Sequence, residues 1–227
     1  MSKLTWNKAG ERFYETGVEQ GVLYVQQSTG DYGNGVAWSG LTTVTESPSG
    51  AEPTPIYADN AKYLNLISAE EFGASIEAYT YPDEFAECDG SFEIAPGVHA
   101  GQQSRKTFGF CYKTLVGNDT ESTDHGYKIH IVYGAQASPS EKGYGTVNDS
   151  PEAMTLSWEV STTPVEIATE IDGTKLKPTA NLTFDSRKVS DAKMKQLEDV
   201  LYGSDSEEAR LPLPDEIITL MTDETVG

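Results

Sequence analysis

Residues 107–115 read TFGFCYKTL, and residues 127–133 read YKIHIVY. In the first segment Phe108, Phe110 and Tyr112 recur at every second position. In the second, Tyr127, Ile129, Ile131 and Tyr133 alternate with Lys128, His130 and Val132. Successive side chains of a strand point to opposite faces, so this period predicts β-strands that bury at least one face. The same alternation runs through Phe72, Ala74, Ile76, Ala78 and Thr80, set against Gly73, Ser75, Glu77 and Tyr79. It returns in Met154, Leu156, Trp158 and Val160, set against Thr155, Ser157, Glu159 and Ser161. Gly21–Gln26 and Val36–Thr45 are further strand candidates. Asp172-Gly173 lies between extended runs at 165–171 and 174–184, where it suits a tight hairpin turn with positive φ.

Working outward, one helix is predicted over Ser190–Tyr202. Ser190 is a suitable N-cap, Asp191 suits the positive end of the helix dipole, and Gly203 suits the stop. Met194, Leu197 and Leu201 make one apolar stripe, enough to cover a sheet. A short helical turn is expected at Pro82–Glu87. Prolines and glycine mark Glu46–Tyr57 (ESPSGAEPTPIY) as a long loop, and Ala95–Ser104 as another. After Pro212 and Pro214, Glu216–Met221 is a late apolar strand candidate. The expected fold is mainly β (α+β) in one domain over residues 1–227.

Charge separates the function classes. The chain carries 36 acids against 16 bases, a net charge of −20. Between Arg12 and Arg105 stand fourteen acids and one base, Lys62. Such a surface repels phosphate and should not grip nucleic acid. Met1–Gly10 (MSKLTWNKAG) has no apolar run, so no secretion signal or membrane anchor is expected. Cys88 and Cys111 are expected to be free thiols.

Catalytic and ligand motifs are missing at their required spacings. There is no phosphate loop, nucleophile elbow or zinc-protease helix. Gly33-Asn34-Gly35 is a turn. His99, His125 and His130 show no ligand spacing, and His130 is expected on a strand surface. Asp119, Glu121, Thr123 and Asp124 resemble a calcium loop only superficially, because Asp124 and His130 stand where Gly and Glu are required. Glu70-Glu71 and Asp83-Glu84 are adjacent pairs, which point to different faces and suit a solvated surface better than a glycosidase dyad. No enzyme, cofactor or metal is expected.

Four segments carry a resemblance. Residues 35–66 read GVAWSGLTTVTESPSGAEPTPIYADNAKYLNL and residues 68–90 read SAEEFGASIEAYTYPDEFAECDG. Residues 156–166 read LSWEVSTTPVE, and residues 201–221 read LYGSDSEEARLPLPDEIITLM. Together they resemble the major tail protein, or tail tube protein, of long-tailed non-contractile bacteriophages and their prophages. The resemblance implies a β-sandwich or barrel with one flanking helix, and subunits that close into hexameric rings stacked as a tube. It implies that a long loop, here about residues 46–66, reaches the adjacent ring. Pro48, Pro53, Pro55, Tyr57, Tyr63 and Leu66 are then its contact candidates. It implies a lumen through which DNA passes without specific binding, with Glu77 a candidate acid on the wall. The implied partners are further copies of the chain, a tape-measure protein, and tail initiator and terminator proteins. The implied setting is the virion tail, and the host cytoplasm during assembly. Residues 1–14 and 222–227 would be terminal arms. Two other readings remain open: the tube subunit of a phage-like injection or secretion device, and a carbohydrate- or protein-binding β-sandwich module using aromatics such as Trp38 and Tyr144. A secreted hydrolase fits less well.

Overall fold

The computed structural model describes residues 3–147, 149–150 and 152–222. Its first half contains β1 (Tyr14–Val25), β2 (Val36–Trp38), β3 (Leu41–Glu46), β4 (Ser49–Gly50), β5 (Pro53–Ala58), β6 (Ala61–Ile67), β7 (Glu70–Glu71) and β8 (Gly73–Ala78). A short 3₁₀ turn at Asp83–Glu87 follows, as expected. The second half contains β9 (Phe92–Ala95), β10 (Val98–Ala100), β11 (Phe108–Asn118), β12 (Ser122–Ala137), β13 (Leu156–Thr162), β14 (Glu170–Ile171), β15 (Thr174–Lys175) and β16 (Asn181–Asp185). It closes with helices α1 (Asp191–Tyr202) and α2 (Pro214–Thr222). The fold is mainly β, of the α+β kind.

The main sheet has eight strands, ordered β2-β1-β11-β12-β13-β8-β3, with β16 also pairing β12. Its neighbours pair antiparallel. Val36–Thr45, expected as one strand, breaks at Ser39-Gly40. Gly40 adopts φ +82°, which a residue with a side chain rarely tolerates. The two halves then join opposite ends of the sheet, β2 against β1 and β3 against β8. Two consecutive strands thus terminate the strand path, and the sheet curls until its ends meet at this corner. The Trp38 indole N–H spans it, donating to the Thr80 carbonyl at 2.9 Å.

Strand alternation sorts side chains into two cores. Inside the curl lie Leu23, Trp38, Ile76, Phe108, Phe110, Val132 and Trp158, with Phe85 of the 3₁₀ turn as a plug. The Trp38 ring centroid is 4.6 Å from Phe85, 5.5 Å from Phe110 and 5.7 Å from Trp158, mostly in edge-on geometry that favours ring quadrupoles. Outside the curl, Val22, Tyr24, Cys111, Ile129, Ile131 and Tyr133 pack against Met194, Leu197 and Leu201 of α1 and Ile217 of α2. Strands β1, β11 and β12 are therefore covered on both faces, which is why Phe108–Tyr112 is buried without interruption. Tyr24 donates its hydroxyl to the Leu201 carbonyl at 2.6 Å, and Tyr133 donates to that of Pro212 at 2.9 Å, pinning the helical layer. At Gly134 (φ +59°) strand β12 leaves β16 and takes up β13; a Cβ there would stand 2.1 Å from the Thr163 carbonyl oxygen.

Three expectations are corrected. Glu216–Met221 is helical, not a strand, so two helices flank the sheet rather than one. Pro214 starts α2 at a position where its missing N–H costs nothing, and Asp215 and Glu216 complement the dipole. Residues 46–66 are not an open loop but most of a β-ribbon. Ala95–Ser104 is partly the hairpin β9–β10. Asp172-Gly173 does turn as expected, with φ of +50° and +73°. Of the proposed arms, residues 3–13 are irregular and mostly exposed, Tyr14 already belongs to β1, and Thr222 ends α2. Residues 1–2 and 223–227 lie outside the described residues.

Candidate assembly interface

Strands β3 and β8 do not end at the body of the molecule. Their ladder continues through Ser49↔Glu71 and Gly50↔Glu70, then through Pro53↔Ile67, Thr54↔Leu66, Pro55↔Asn65 and Ile56↔Leu64 to Ala58↔Ala61. Asp59 (φ +50°) and Asn60 (φ +61°) close it as a two-residue turn of the primed kind that matches strand twist. At about 3.3 Å per residue the leg from Ser47 to Ala58 reaches at most roughly 40 Å. Every residue from Glu52 to Glu71 is exposed. Gly50 (φ +80°) and Ala51 (φ +55°) bend the ribbon near its root.

The candidate contact residues divide over this arm. Pro53, Pro55, Tyr57, Tyr63, Asn65 and Ile67 share one face; Thr54, Ile56, Leu64 and Leu66 share the other. Tyr57 (68%), Tyr63 (71%), Leu66 (56%) and Ile67 (66%) are well exposed. Burying a large apolar side chain is worth about 1.5–3 kcal/mol, so this surface is costly to leave bare. Pro48 lies at the root, beside a hollow lined by Phe72, Pro164, Pro178 and Ala180. Ile56, Leu64 and Ile67 are absent from the sequence-derived set. The Asp59-Asn60 dipeptide between two extended runs was the signal that would have revealed them.

Glu77 lies on the face of β3, β8 and β13 that points away from the inner core. Cross-strand register places Thr43 and Ser157 beside it, and Thr45 and Glu159 beside Ser75. This face is small, polar and acidic: Thr43, Thr45 and Glu159 are exposed, and Ser75, Glu77 and Ser157 half-buried. The apolar partners Val44, Ile76 and Trp158 take the opposite side.

A polar junction links the start of β1 to the root of the arm. Glu15 opens β1 just after the N-terminal segment, and Glu46 ends β3 at the root of the arm. Between them His130 stacks on Tyr112 at 4.7 Å, with a nitrogen 3.6 Å from each carboxylate. Tyr112 donates its hydroxyl to Glu46 at 2.7 Å, and Thr114 and Lys128 donate to Glu15 at 2.8 and 2.5 Å. His130 was expected on a strand surface, yet only 12% of its side chain is exposed. Burial holds its imidazole below the ordinary range, and the two carboxylates only partly offset this. Burial tends to raise Glu15, but its hydrogen bonds from Lys128 and Thr114 prevail and lower it.

A second polar cluster lies against the inner core. The buried Asp89 carboxylate accepts from the Trp158 indole at 3.1 Å and pairs with Arg105 and Lys142. Lys142 lies in the stretch that follows β12, which also bears the exposed Tyr144 and Val147. Trp38, offered above as a ligand-binding aromatic, is buried and unavailable for that role. The two cysteines are free and buried, and burial pushes both thiols up to about 12. A cleft beside the 3₁₀ turn gathers Asp83, Glu84, Glu87, Glu93, His99 and Lys106. Among the described residues no group of three His, Cys, Asp or Glu side chains is placed to hold a metal ion. No helix among them is long and apolar enough to cross a membrane.

No protein-family model matches the chain, and no curated protein matches it. Among solved structures, the chain is similar to a chain of the cryo-EM structure of the anti-feeding prophage (AFP) baseplate, 6-fold symmetrised. That similarity spans 70% of this chain and 94% of that one, at 9% identity and a TM-score of 0.35. At that score the likeness carries no argument.

Proposed function

We propose that this chain is a non-enzymatic structural subunit of a phage-like tail, assembling with copies of itself into stacked hexameric rings that form a tube for DNA. The observation that carries the reading is the arm: a long ribbon, exposed on all sides, that presents tyrosines and branched aliphatics to solvent. Contiguous apolar surface of this kind marks an interaction site in a monomeric protein. An isolated two-stranded ribbon is also marginal in water and gains its order on docking. The sequence resemblance supplies the assembly type. The uncovered Glu77–Glu159 face supplies a wall that would let a polyanion slide by without counterion-releasing contacts.

The tape-measure protein would occupy the lumen, and initiator and terminator proteins would cap the ends. A subunit of a phage-like injection or secretion device rests on the same surfaces and is the neighbouring reading. The test is negative-stain microscopy of the purified chain at rising concentration. It is paired with a variant in which residues 51–69 are replaced by a tight turn. Rings or tubes are expected from the full chain and single particles from the shortened one. A full chain that stays monomeric throughout, or a shortened chain that assembles equally well, overturns the reading.

A further inference from the structure

We infer that the β5–β6 arm is clamped between two neighbouring copies of this chain, one against each face, rather than lying on the surface of one. The inference rests on the self-assembly proposed above and specifies its geometry.

A hairpin built to lie on one surface keeps its second face polar, so apolar and polar residues alternate along each leg. This arm does not alternate. Tyr57, Tyr63 and Ile67 crowd one face, and Ile56, Leu64 and Leu66 crowd the other, all of them exposed in the single chain. Residues apolar on both sides are the pattern of strands covered on both sides, as β11 is in the body of this molecule. Docking on a single surface would leave half of this apolar set in water.

The mode of contact follows from the prolines. Pro53 and Pro55 deprive β5 of two backbone donors, so an added strand could not form a full ladder on that edge. On the β5 side, contact thus falls to the side-chain faces, while the β6 edge, Ala61–Ile67, carries no proline.

Charge identifies the occupant. Within Pro53–Ile67 the ionisable side chains of opposite sign are Asp59 and Lys62, which cancel, while the whole chain carries −20. A basic partner would be drawn to the acidic body and gains nothing from a neutral arm. A second copy, itself strongly negative, is repelled by the body but not by this stretch. The arm is the means by which like-charged subunits can approach.

The buried native thiols make a clean test possible, because Cys88 and Cys111 are inaccessible. Single substitutions Tyr57→Cys and Leu64→Cys place one reactive thiol on each face at exposed positions. Maleimide labelling is then compared between dilute monomer and assembled particles. The clamp predicts that both positions lose reactivity by about tenfold or more on assembly, since a covered thiol reacts only during local opening. Particles in which one of the two labels at the monomer rate overturn the clamp and leave assembly standing. Particles in which both label freely overturn the clamp and remove the arm from the assembly contact. A chain that never forms particles overturns the assembly reading, and the clamp with it. Protection of both positions in the monomer would place the arm against its own body, which also overturns the clamp. Tyr57→Ser/Tyr63→Ser and Ile56→Ser/Leu64→Ser variants provide an independent measurement. Each pair should abolish assembly alone, and retained assembly by either pair counts against the clamp.

Discussion

Asp89 is buried where Trp158, Arg105 and Lys142 converge, so its removal strands two cations with no counter-charge at the end of the inner core. Asp89→Ala should lower unfolding stability by about 3–5 kcal/mol, read as a shifted urea midpoint, whereas the exposed Lys195–Asp199 pair should cost about 1 kcal/mol or less. His130 makes a pH prediction. Its imidazole is held below the ordinary 6.5 in the folded chain. On acidification the unfolded chain therefore binds a proton that the folded chain refuses, so stability is full above about 6.5 and falls as pH drops toward the lowered value. His130→Gln should flatten this slope between roughly pH 7.5 and 5.5 in the same urea assay. Neither site was legible in the sequence. Alternation told which side of β12 His130 takes, but its partners Glu15 and Glu46 are brought to it by pairings across much of the chain.

At the scale of elements, period-two strands were legible because each buries at least one full face, and the Asp172-Gly173 turn because its backbone demands those residues. Two failures have physical causes. Prolines at 48, 53 and 55 suggested an open loop, but a ribbon with two free edges tolerates missing donors that a central strand would not. Glu216–Met221 was too short for its period to distinguish helix from strand, and the capping role of Pro214 decided it. The arm carries its own prediction. Amides of β5 and β6 in the isolated chain should exchange with solvent almost unprotected, while those of β11 and β12 should exchange only through global unfolding. Hydrogen exchange read by mass spectrometry checks this, and strong protection of the arm in the monomer would contradict it.

For the whole molecule, the excess of acid was plain in the composition, but its placement was not. On the outer face of the curled sheet, β1, β11 and β12 are given to the helices while β3, β8 and β13, with Glu77 and Glu159, are left bare, a division set by long-range strand order. Tubes carrying Glu77→Lys and Glu159→Lys should pass DNA more slowly, with a retardation that fades as salt rises, because the new cations would capture phosphates. Transit measured across a salt series checks this; unchanged transit at low salt would remove the wall role from this face. The corner at Ser39-Gly40 has a mechanical consequence. Both legs of the arm lead, across the bend at Gly50-Ala51, into the neighbouring strands β3 and β8 of the main sheet, and one of them turns the corner into β2. Tension applied at the tip is directed along the strand axes, so the hydrogen bonds of several ladders share the load in shear instead of peeling one after another. The arm is thereby anchored as a tensile strap, and in the proposed assembly such subunits would flex or stretch without unravelling the sheets that hold it.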